Sequence, residues 1–399
     1  MQKVLASLLA GLGIASICLG GEHVKDAHAN SPRTPAVIVN LKEIGWAPPP
    51  FVSNREFFKD YTVDKLMAVD YGTRVVFLDE DVMVVYYTRQ EGKDLLTAPR
   101  FIEAFFIRAS DGSLLTTRRW STTLRKSNND LFDSESRLIP LHDGRFLVFA
   151  NGVMTTYGPN VELLIQKKLQ PSTGMWSAQR VADGKGVFLR HQSTSGQVTY
   201  FWLASDTLEE RYQTPGYKSP EFGANEGLTA AGDSVLATSR SGIRAIDRDQ
   251  KVRTICDDSL CRQDGLLQAL SSPYVGWSTR NGIGIINAEQ GGLVWSRTVP
   301  APMHHENFQF GEIQSATSGT EFAVWATAIR EARFDGIKVG SQPTILVYDA
   351  ARLKEEPTAF RLKPRRPDWG LALSPSGGKL ALFDGETVQV FTSPLAQNP

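Results

Sequence analysis

The sequence carries no excess of either charge. Lysine and arginine total 43 residues and aspartate and glutamate also total 43, so the formal net charge is zero. Nucleic acids and acidic membrane surfaces attract proteins through an excess of positive charge. Because this chain has none, the sequence argues against a nucleic-acid partner, and any partner must be recognised by local features.

Long amphipathic helices and the common catalytic motifs are missing as well. After residue 30 no stretch has the apolar spacing of a four-turn helix, and the sequence contains no GxSxG, HExxH, phosphate-loop or dinucleotide motif. Instead, 34 glycines and 21 prolines occur in short turn clusters, and 10% of the residues are aromatic. This composition favours many short strands.

Long apolar runs are confined to the N-terminus. Lys3 precedes residues 4–21, which are apolar or small, and Ala27-His28-Ala29 matches the small-x-small pattern that signal peptidase accepts. We therefore expect residues 1–29 to be a signal peptide. The mature protein, residues 30–399, is then expected to be secreted or periplasmic, with no membrane span.

Two alternatives for this N-terminal segment stay open. Its apolar run is about as long as a short membrane-spanning helix, so it could be retained as an anchor. Cys18 could instead carry a lipid, although Ile17 stands where that modification needs a small residue.

Cysteine is scarce, and after removal of the signal only Cys256 and Cys261 remain. In an oxidising compartment a close pair of this kind is expected to be bonded. The spacing differs from that of a redox CxxC motif, and no further cysteine is present to complete a sulfur-rich zinc site. The sequence therefore predicts a structural disulfide between Cys256 and Cys261.

An internal repeat runs through the rest of the chain. Its clearest unit, at residues 370–391, reads GLALSPSGGKLALFDGETVQVF: two apolar strands and a third alternating strand, separated by glycine-containing turns. Similar units start at six other positions, which are Arg74, Arg137, Arg180, Gly227, Leu267 and Glu312. The pattern predicts an all-β fold made of repeated antiparallel sheets.

The first apolar residue after each turn gives a marker for each unit. The seven markers are Val82, Phe146, Val187, Val235, Val275, Phe322 and Leu380. Four of the six spacings between them lie near the roughly 40–50 residues of a four-stranded propeller blade. Insertions at residues 90–100, 123–136 and 330–342 account for the two longer spacings. Seven markers predict a seven-bladed β-propeller, with an open two-sheet sandwich as the alternative.

The last unit has room for only two strands after its marker, so its blade lacks an outer strand. Residues 30–70 precede the first unit and contain two strand-like segments, at residues 36–39 and 61–63. We expect this region to pair with the strand that ends near Phe391, because the pairing closes the ring and covers an exposed edge. The blades then occupy residues 71–395.

Two family resemblances accompany these repeats. The unit at residues 370–391 resembles the WD40-like repeats of bacterial exported propellers, without the Gly-His and Trp-Asp signatures of true WD40 repeats. Residues 287–295, NAEQGGLVW, resemble the docking repeat of quinoprotein dehydrogenase propellers, in which a turn glycine and a tryptophan lock neighbouring blades. The adjacent cysteine pair typical of those dehydrogenases is absent. The propeller resemblance implies a platform for protein or small-molecule binding.

Loops that join one blade to the next gather around the mouth of a propeller channel, where binding residues are expected. The densest polar cluster in these loops is His304, His305 and Glu306. Two imidazoles and a carboxylate could bind a divalent metal or transfer a proton, and a solvated loop is the alternative.

Adjacent side chains in an extended segment point to opposite sides, so His304 and His305 cannot easily share one ion. Asp130, Asp257 and Asp258 are the candidates for the remaining ligands. No cofactor is predicted, and calcium or another divalent metal is left open.

Two further loops carry candidate ligand-binding residues. Arg365, Arg366 and Trp369 combine charges suited to carboxylate or phosphate with a ring that could stack on a sugar or base; a proline-stiffened linker is the alternative. Tyr212 and Tyr217 could form a binding rim or cover the end of the core.

These features favour a non-catalytic binding or assembly module that recognises an unknown protein or small molecule. The main alternative is a propeller hydrolase or lactonase-type enzyme with a metal at the channel mouth. Convergence of three or four carboxylate, histidine or asparagine side chains there would favour the enzyme. A structural partner in an envelope complex is a third alternative, for which a contiguous exposed apolar patch would be evidence.

Overall fold

The computed structural model describes residues 34–47, 73–90, 100–122, 137–150, 152–171, 174–181, 184–214, 217–218, 229–231, 234–239, 241–246, 251–263, 265–270, 273–299, 308–311, 313–365 and 369–393. All of them belong to the unit Arg33–Pro399, and the unit Met1–Pro32 lies outside them. The signal peptide at residues 1–29 therefore stays a prediction. No helix in the described ranges is long and apolar enough to cross a membrane.

Short strands make up most of the described chain. The first is β1 (Val37–Asn40), followed by a 3-10 helix (Leu41–Ile44). Blade 1 has β2 (Arg74–Phe77), β3 (Val82–Gln90), β4 (Arg100–Arg108) and β5 (Leu114–Thr122). Blade 2 has β6 (Arg137–Pro140), β7 (Phe146–Ala150), β8 (Val153–Tyr157) and β9 (Leu163–Lys168), with a 3-10 helix (His142–Gly144) between β6 and β7. Blade 3 has β10 (Met175–Arg180), β11 (Gly186–Gln192), β12 (Gln197–Ala204), β13 (Glu210–Gln213) and β14 (Tyr217–Lys218).

The remaining strands form blades 4 to 7. Blade 4 has β15 (Thr229–Ala231), β16 (Ser234–Ser239), β17 (Gly242–Ile246) and β18 (Val252–Cys256). Blade 5 has β19 (Gly265–Ala269), β20 (Tyr274–Thr279), β21 (Gly282–Asn287) and β22 (Leu293–Thr298). Blade 6 has β23 (Phe308–Phe310), β24 (Gln314–Ser315), β25 (Glu321–Ala328), β28 (Thr344–Asp349) and β29 (Thr358–Arg361), interrupted by the hairpin of β26 (Ala332–Phe334) and β27 (Ile337–Val339). Blade 7 has β30 (Gly370–Leu373), β31 (Lys379–Phe383) and β32 (Thr387–Thr392).

Within the described residues, these strands form seven antiparallel sheets arranged as the blades of a β-propeller, and the hairpin β26–β27 is a separate two-stranded sheet. All seven sequence markers fall at the start of a blade's second strand. They are the first residue of β3 and β7 and the second residue of β11, β16, β20, β25 and β31. The preceding turns use left-handed backbone where the sequence supplies glycine, as at Gly144 (φ +71°) and Gly377 (φ +79°). The seven-blade prediction is confirmed, and the sandwich alternative is excluded.

One insertion and the ring closure are also described. The insertion at residues 330–342 contains the β26–β27 hairpin, whereas residues 91–99 and 123–136 lie outside the described residues. Strand β1 pairs antiparallel with β32 and places Val39 opposite Val388. This confirms that the last blade takes its outer strand from the N-terminal region. Residues 61–63, the other candidate, lie outside the described residues.

The buried core lies largely between neighbouring blades. One cluster joins Val390 of β32 to Val75 of β2, and so spans blades 7 and 1. Another joins Leu236 of blade 4 to Trp277 of blade 5. Because the apolar faces of adjacent sheets cover one another, the first strand of each blade is left facing the centre of the ring.

Candidate functional site

The structure places only some of the predicted binding residues. His304, His305, Glu306 and Arg366 lie outside the described residues, and for Tyr217 only the backbone is described. No group of three or more histidine, cysteine, aspartate or glutamate side chains in the described ranges could hold a metal.

The aspartates proposed as additional ligands are described only in part. Asp257 and Asp258 are exposed, and Asp257 lies 4.0 Å from the Arg262 guanidinium. Asp130 lies outside the described residues. The predicted metal role therefore stays a prediction.

Tyr212 lies on β13, where its side chain is buried. Its hydroxyl donates a hydrogen bond of 3.0 Å to the backbone oxygen of Ile246 on β17. The bond joins blades 3 and 4, so the described contacts of Tyr212 are those of a residue that packs two blades together.

The cysteine pair is bonded in the structure. Cys256 and Cys261 form a disulfide with a Cα separation of 5.9 Å. Both residues are buried in the cluster between blades 4 and 5. The indole nitrogen of Trp277 on β20 donates to the oxygen of Leu260 inside this loop, at 3.0 Å. The disulfide loop is therefore part of the contact between two blades.

Arg365 and Trp369 have different contacts in the structure. The backbone N–H of Arg365 donates to the oxygen of Asp384 at 2.6 Å, and its guanidinium lies 3.4 Å from the Asp384 carboxylate and 3.5 Å from that of Glu386. These contacts hold Arg365 against the turn between β31 and β32. Trp369 instead lines a central cavity, where its ring lies edge-on to Trp325 with the centroids 5.1 Å apart.

This central cavity has a volume of about 350 Å³. Residues from the first strands of blades 1, 2, 3, 5, 6 and 7 line it, which identifies it as the channel of the propeller. Its size falls within the usual range of small-molecule sites.

The described wall of the channel carries positive charge from three arginines. Arg74, Arg137 and Arg180 line the cavity, whereas the described lining residues include no aspartate or glutamate. The Arg180 guanidinium reaches from blade 3 to blade 6 and donates a long hydrogen bond of 3.5 Å to the oxygen of Ser315. Burial lowers the pKa of Arg180 to about 10. This shift indicates that a charge here is poorly solvated, so a bound anion would stabilise it.

Strand positions place the three arginines at two different heights along the channel, which are called levels below. Arg74, Arg137 and Gly370 each lie three residues before the end of their strands. Arg180 and Ser315 are the last residues of theirs. Because a strand rises by roughly 3.3 Å per residue, the two levels are about 10 Å apart.

Sequence reasoning pointed to the connecting loops and missed the arginines of the channel. A signal was present, since three of the repeat units begin with arginine, at Arg74, Arg137 and Arg180. Each arginine belongs to a different strand, so no local motif contains them. Only the assembled ring brings them to one cavity.

The segment that resembles a docking repeat does join blades. The N–H of Gly292 donates to the oxygen of Ile255 on β18 at 2.6 Å. The indole nitrogen of Trp295 on β22 donates to the oxygen of Leu353 at 3.0 Å. These bonds connect blade 5 with blades 4 and 6, which is a structural role.

No protein-family model matches the sequence, and no curated protein matches it significantly. Several solved structures are similar in fold. A chain of the mitotic checkpoint complex has a TM-score of 0.49 and 12% identity over 98% of this chain and 99% of that one. The Pan2 WD40 domain of Neurospora crassa has a TM-score of 0.49 and 10% identity over 92% and 98%. A protein of unknown function from Bacteroides caccae has a TM-score of 0.38 and 10% identity over 71% and 96%.

Proposed function

We propose that this protein is a non-catalytic binding module of the exported propeller type, and that it holds a small-molecule ligand in its central channel. The observation that carries this proposal is the cavity of about 350 Å³, which the first strands of six blades enclose and three arginines line. A rigid ring of sheets keeps such a cavity formed without a ligand, which favours binding.

The described side chains of the channel suit recognition better than catalysis. Arginine stays protonated at neutral pH, even with the lowered pKa of Arg180, so it cannot serve as a general base. The hydroxyl of Tyr86, which also lines the cavity, donates to the oxygen of Leu138 at 3.2 Å. The buried disulfide supports an oxidising compartment, in agreement with export.

Gly370 offers a way to test the channel directly. A Cβ at this position would have its nearest neighbours at 3.8 and 3.9 Å, which is ordinary contact distance, and the backbone is not left-handed. The substitution Gly370→Leu should therefore fill part of the channel without straining the fold. Gly370→Ala is the matched control.

The experiment screens purified mature protein against a panel of small anionic, neutral and cationic molecules by ligand-observed NMR. We expect at least one molecule to bind the wild-type protein and Gly370→Ala, to lose affinity for Gly370→Leu, and to be recovered unchanged. Thermal unfolding of all three proteins checks the fold. If a ligand bound Gly370→Leu as tightly as it binds the wild-type protein, its site would not be the channel. Turnover of a ligand together with stoichiometric metal would favour the enzyme alternative.

A further inference from the structure

The first strands of six blades each contribute one equivalent residue to the wall of the channel. This residue is the second-to-last of its strand, and in chain order the six are Val76, Ile139, Gln179, Gln268, Gln314 and Ala372. All six line the same cavity. Blades 7, 1 and 2 have apolar residues at this position, whereas blades 3, 5 and 6 have glutamine. The wall is therefore apolar on one side of the ring and carries carboxamide groups on the other.

The three glutamines are available to a ligand. Gln179, Gln268 and Gln314 are half-buried, and no hydrogen bond joins their carboxamide groups to another described residue. Each carboxamide offers two N–H donors and an oxygen acceptor. Covering such groups without partners costs free energy, so a ligand that fills the channel must supply donors and acceptors of its own. Hydroxyl groups suit this position, because every hydroxyl both donates and accepts.

Two tryptophans line the same cavity at a different height. Trp325 lies two residues beyond Ala323, which is the strand partner of Gln314. Trp369 lies three residues before Ala372. At roughly 3.3 Å per residue, these separations along the channel are about 7 and 10 Å. Both indoles are half-buried and pack edge-on, so a small molecule of this length can contact an aromatic ring and the carboxamides together.

We propose that the channel binds a saccharide, with its hydroxyl groups bonded to Gln179, Gln268 and Gln314 and the C–H face of a sugar ring against the tryptophans. A pyranose carries neighbouring hydroxyls around its edge and aliphatic C–H groups on its faces, which pack on aromatic rings. Arg180 follows Gln179 and lines the cavity as well, so its charge favours a sugar acid over a sugar amine. This inference rests on the proposed function of the channel as a ligand site and adds the chemical class of the ligand.

Eight probes test the ligand class. Glucose, galactose, mannose, N-acetylglucosamine and glucuronate are sugars, sorbitol has the hydroxyls without the ring, cyclohexylmethanol has a ring with a single hydroxyl, and benzoate is an aromatic anion. Ligand-observed NMR titrations measure their affinities, and intrinsic tryptophan fluorescence reports contact with the indoles. We expect at least one sugar to bind at least about tenfold more tightly than the three probes that are not sugars. The affinities of glucuronate and glucose distinguish an acidic sugar from a neutral one.

Variants assign the binding to named side chains. Gln179→Met, Gln268→Met and Gln314→Met should each weaken the bound sugar about fivefold, because each removes a carboxamide and keeps the length of the side chain. Trp369→Leu should weaken the sugar and reduce its fluorescence signal, and Trp369→Phe, which keeps a ring, should weaken it less. Gln197→Met makes the matched change at an exposed residue of β12 outside the cavity lining and should leave the affinity unchanged.

Failures of this inference and of the proposed function are distinguishable. If a probe that is not a sugar binds as tightly as the best sugar and loses affinity with Gly370→Leu, the channel is a ligand site and the saccharide inference is wrong. If no sugar binds, or Gln197→Met weakens binding as much as Gln179→Met, the inference is also wrong. If a sugar keeps its full affinity for Gly370→Leu, its site is not the channel. Thermal unfolding checks that each variant folds, and the comparison of probes on the wild-type protein needs no variant.

Discussion

Blades 4 and 7 hold their outer strands in different ways. In blade 4 the outer strand β18 follows β17 along the chain, and the Cys256–Cys261 disulfide closes a short loop at its end. In blade 7 the outer strand β1 comes from the other end of the chain and is joined to β32 by backbone hydrogen bonds and by packing. Both outer strands face the next blade, so the two interfaces can be compared directly.

The non-covalent closure of blade 7 buries several apolar side chains of the N-terminal segment. Val39, Leu41 and Trp46 are buried between blades 7 and 1, and Trp46 contacts the rings of Tyr87 and Phe383 edge-on. Burying one such side chain stabilises the fold by about 1.5–3 kcal/mol. A disulfide across so short a loop contributes about 2 kcal/mol in the loop-entropy account. The comparison teaches that the N-terminal segment contributes more to the stability of the ring than the Cys256–Cys261 disulfide does.

The largest effect is expected for a charge placed on the buried face of β1. Val39 is 4% exposed, whereas its neighbour Ile38 is 62% exposed, although both pair with β32. Val39→Asp should lower the free energy of unfolding by about 3 kcal/mol or more, because it buries an unpaired carboxylate. Urea unfolding followed by tryptophan fluorescence measures the change.

Ile38→Asp is the matched control, since it introduces the same charge on the same strand with its side chain in solvent. It should change the free energy of unfolding by less than about 0.5 kcal/mol. Equal effects of the two substitutions would contradict the register in which β1 closes the ring.

The closure could be predicted from sequence, whereas the channel site could not. Turn glycines such as Gly144 mark the turn between the first two strands of a blade, and counting strands shows that the last blade needs one more. By contrast, Arg74 and Arg137 line one cavity only because the ring brings two strand starts together. The contact of Tyr212 with Ile246 depends on how two sheets pack, which a residue pattern does not encode.

A smaller effect is expected in blade 4. Replacing both Cys256 and Cys261 with alanine should lower the free energy of unfolding by about 2 kcal/mol, and reducing agent should have a similar effect on the wild-type protein. Trp277→Phe, which keeps the disulfide and removes the bond to Leu260, separates the covalent contribution from that of the loop contact. If the cysteine replacement lowered the free energy of unfolding more than Val39→Asp does, the disulfide would contribute more to stability than the closure by β1.

The smallest effect is expected at the surface of the closure. The Lys42 ammonium, just after β1, lies 3.0 Å from the Glu386 carboxylate, just before β32. The hydrogen bond from Lys42, together with contacts from Arg365, lowers the pKa of Glu386 below its ordinary value. The carboxylate therefore contributes stability above its ordinary pKa, and this contribution is lost as the pH falls through the lowered pKa.

Glu386→Gln should flatten this acid side of the stability profile, and high salt should remove most of the difference, because exposed ion pairs are screened. Glu289→Gln, on an exposed turn of blade 5, is the control and should leave the profile unchanged. Thermal midpoints measured across the acid range at low and high salt check both variants. If Glu386→Gln destabilised the protein as much as Val39→Asp, surface charge rather than the buried face of β1 would hold blade 7 closed.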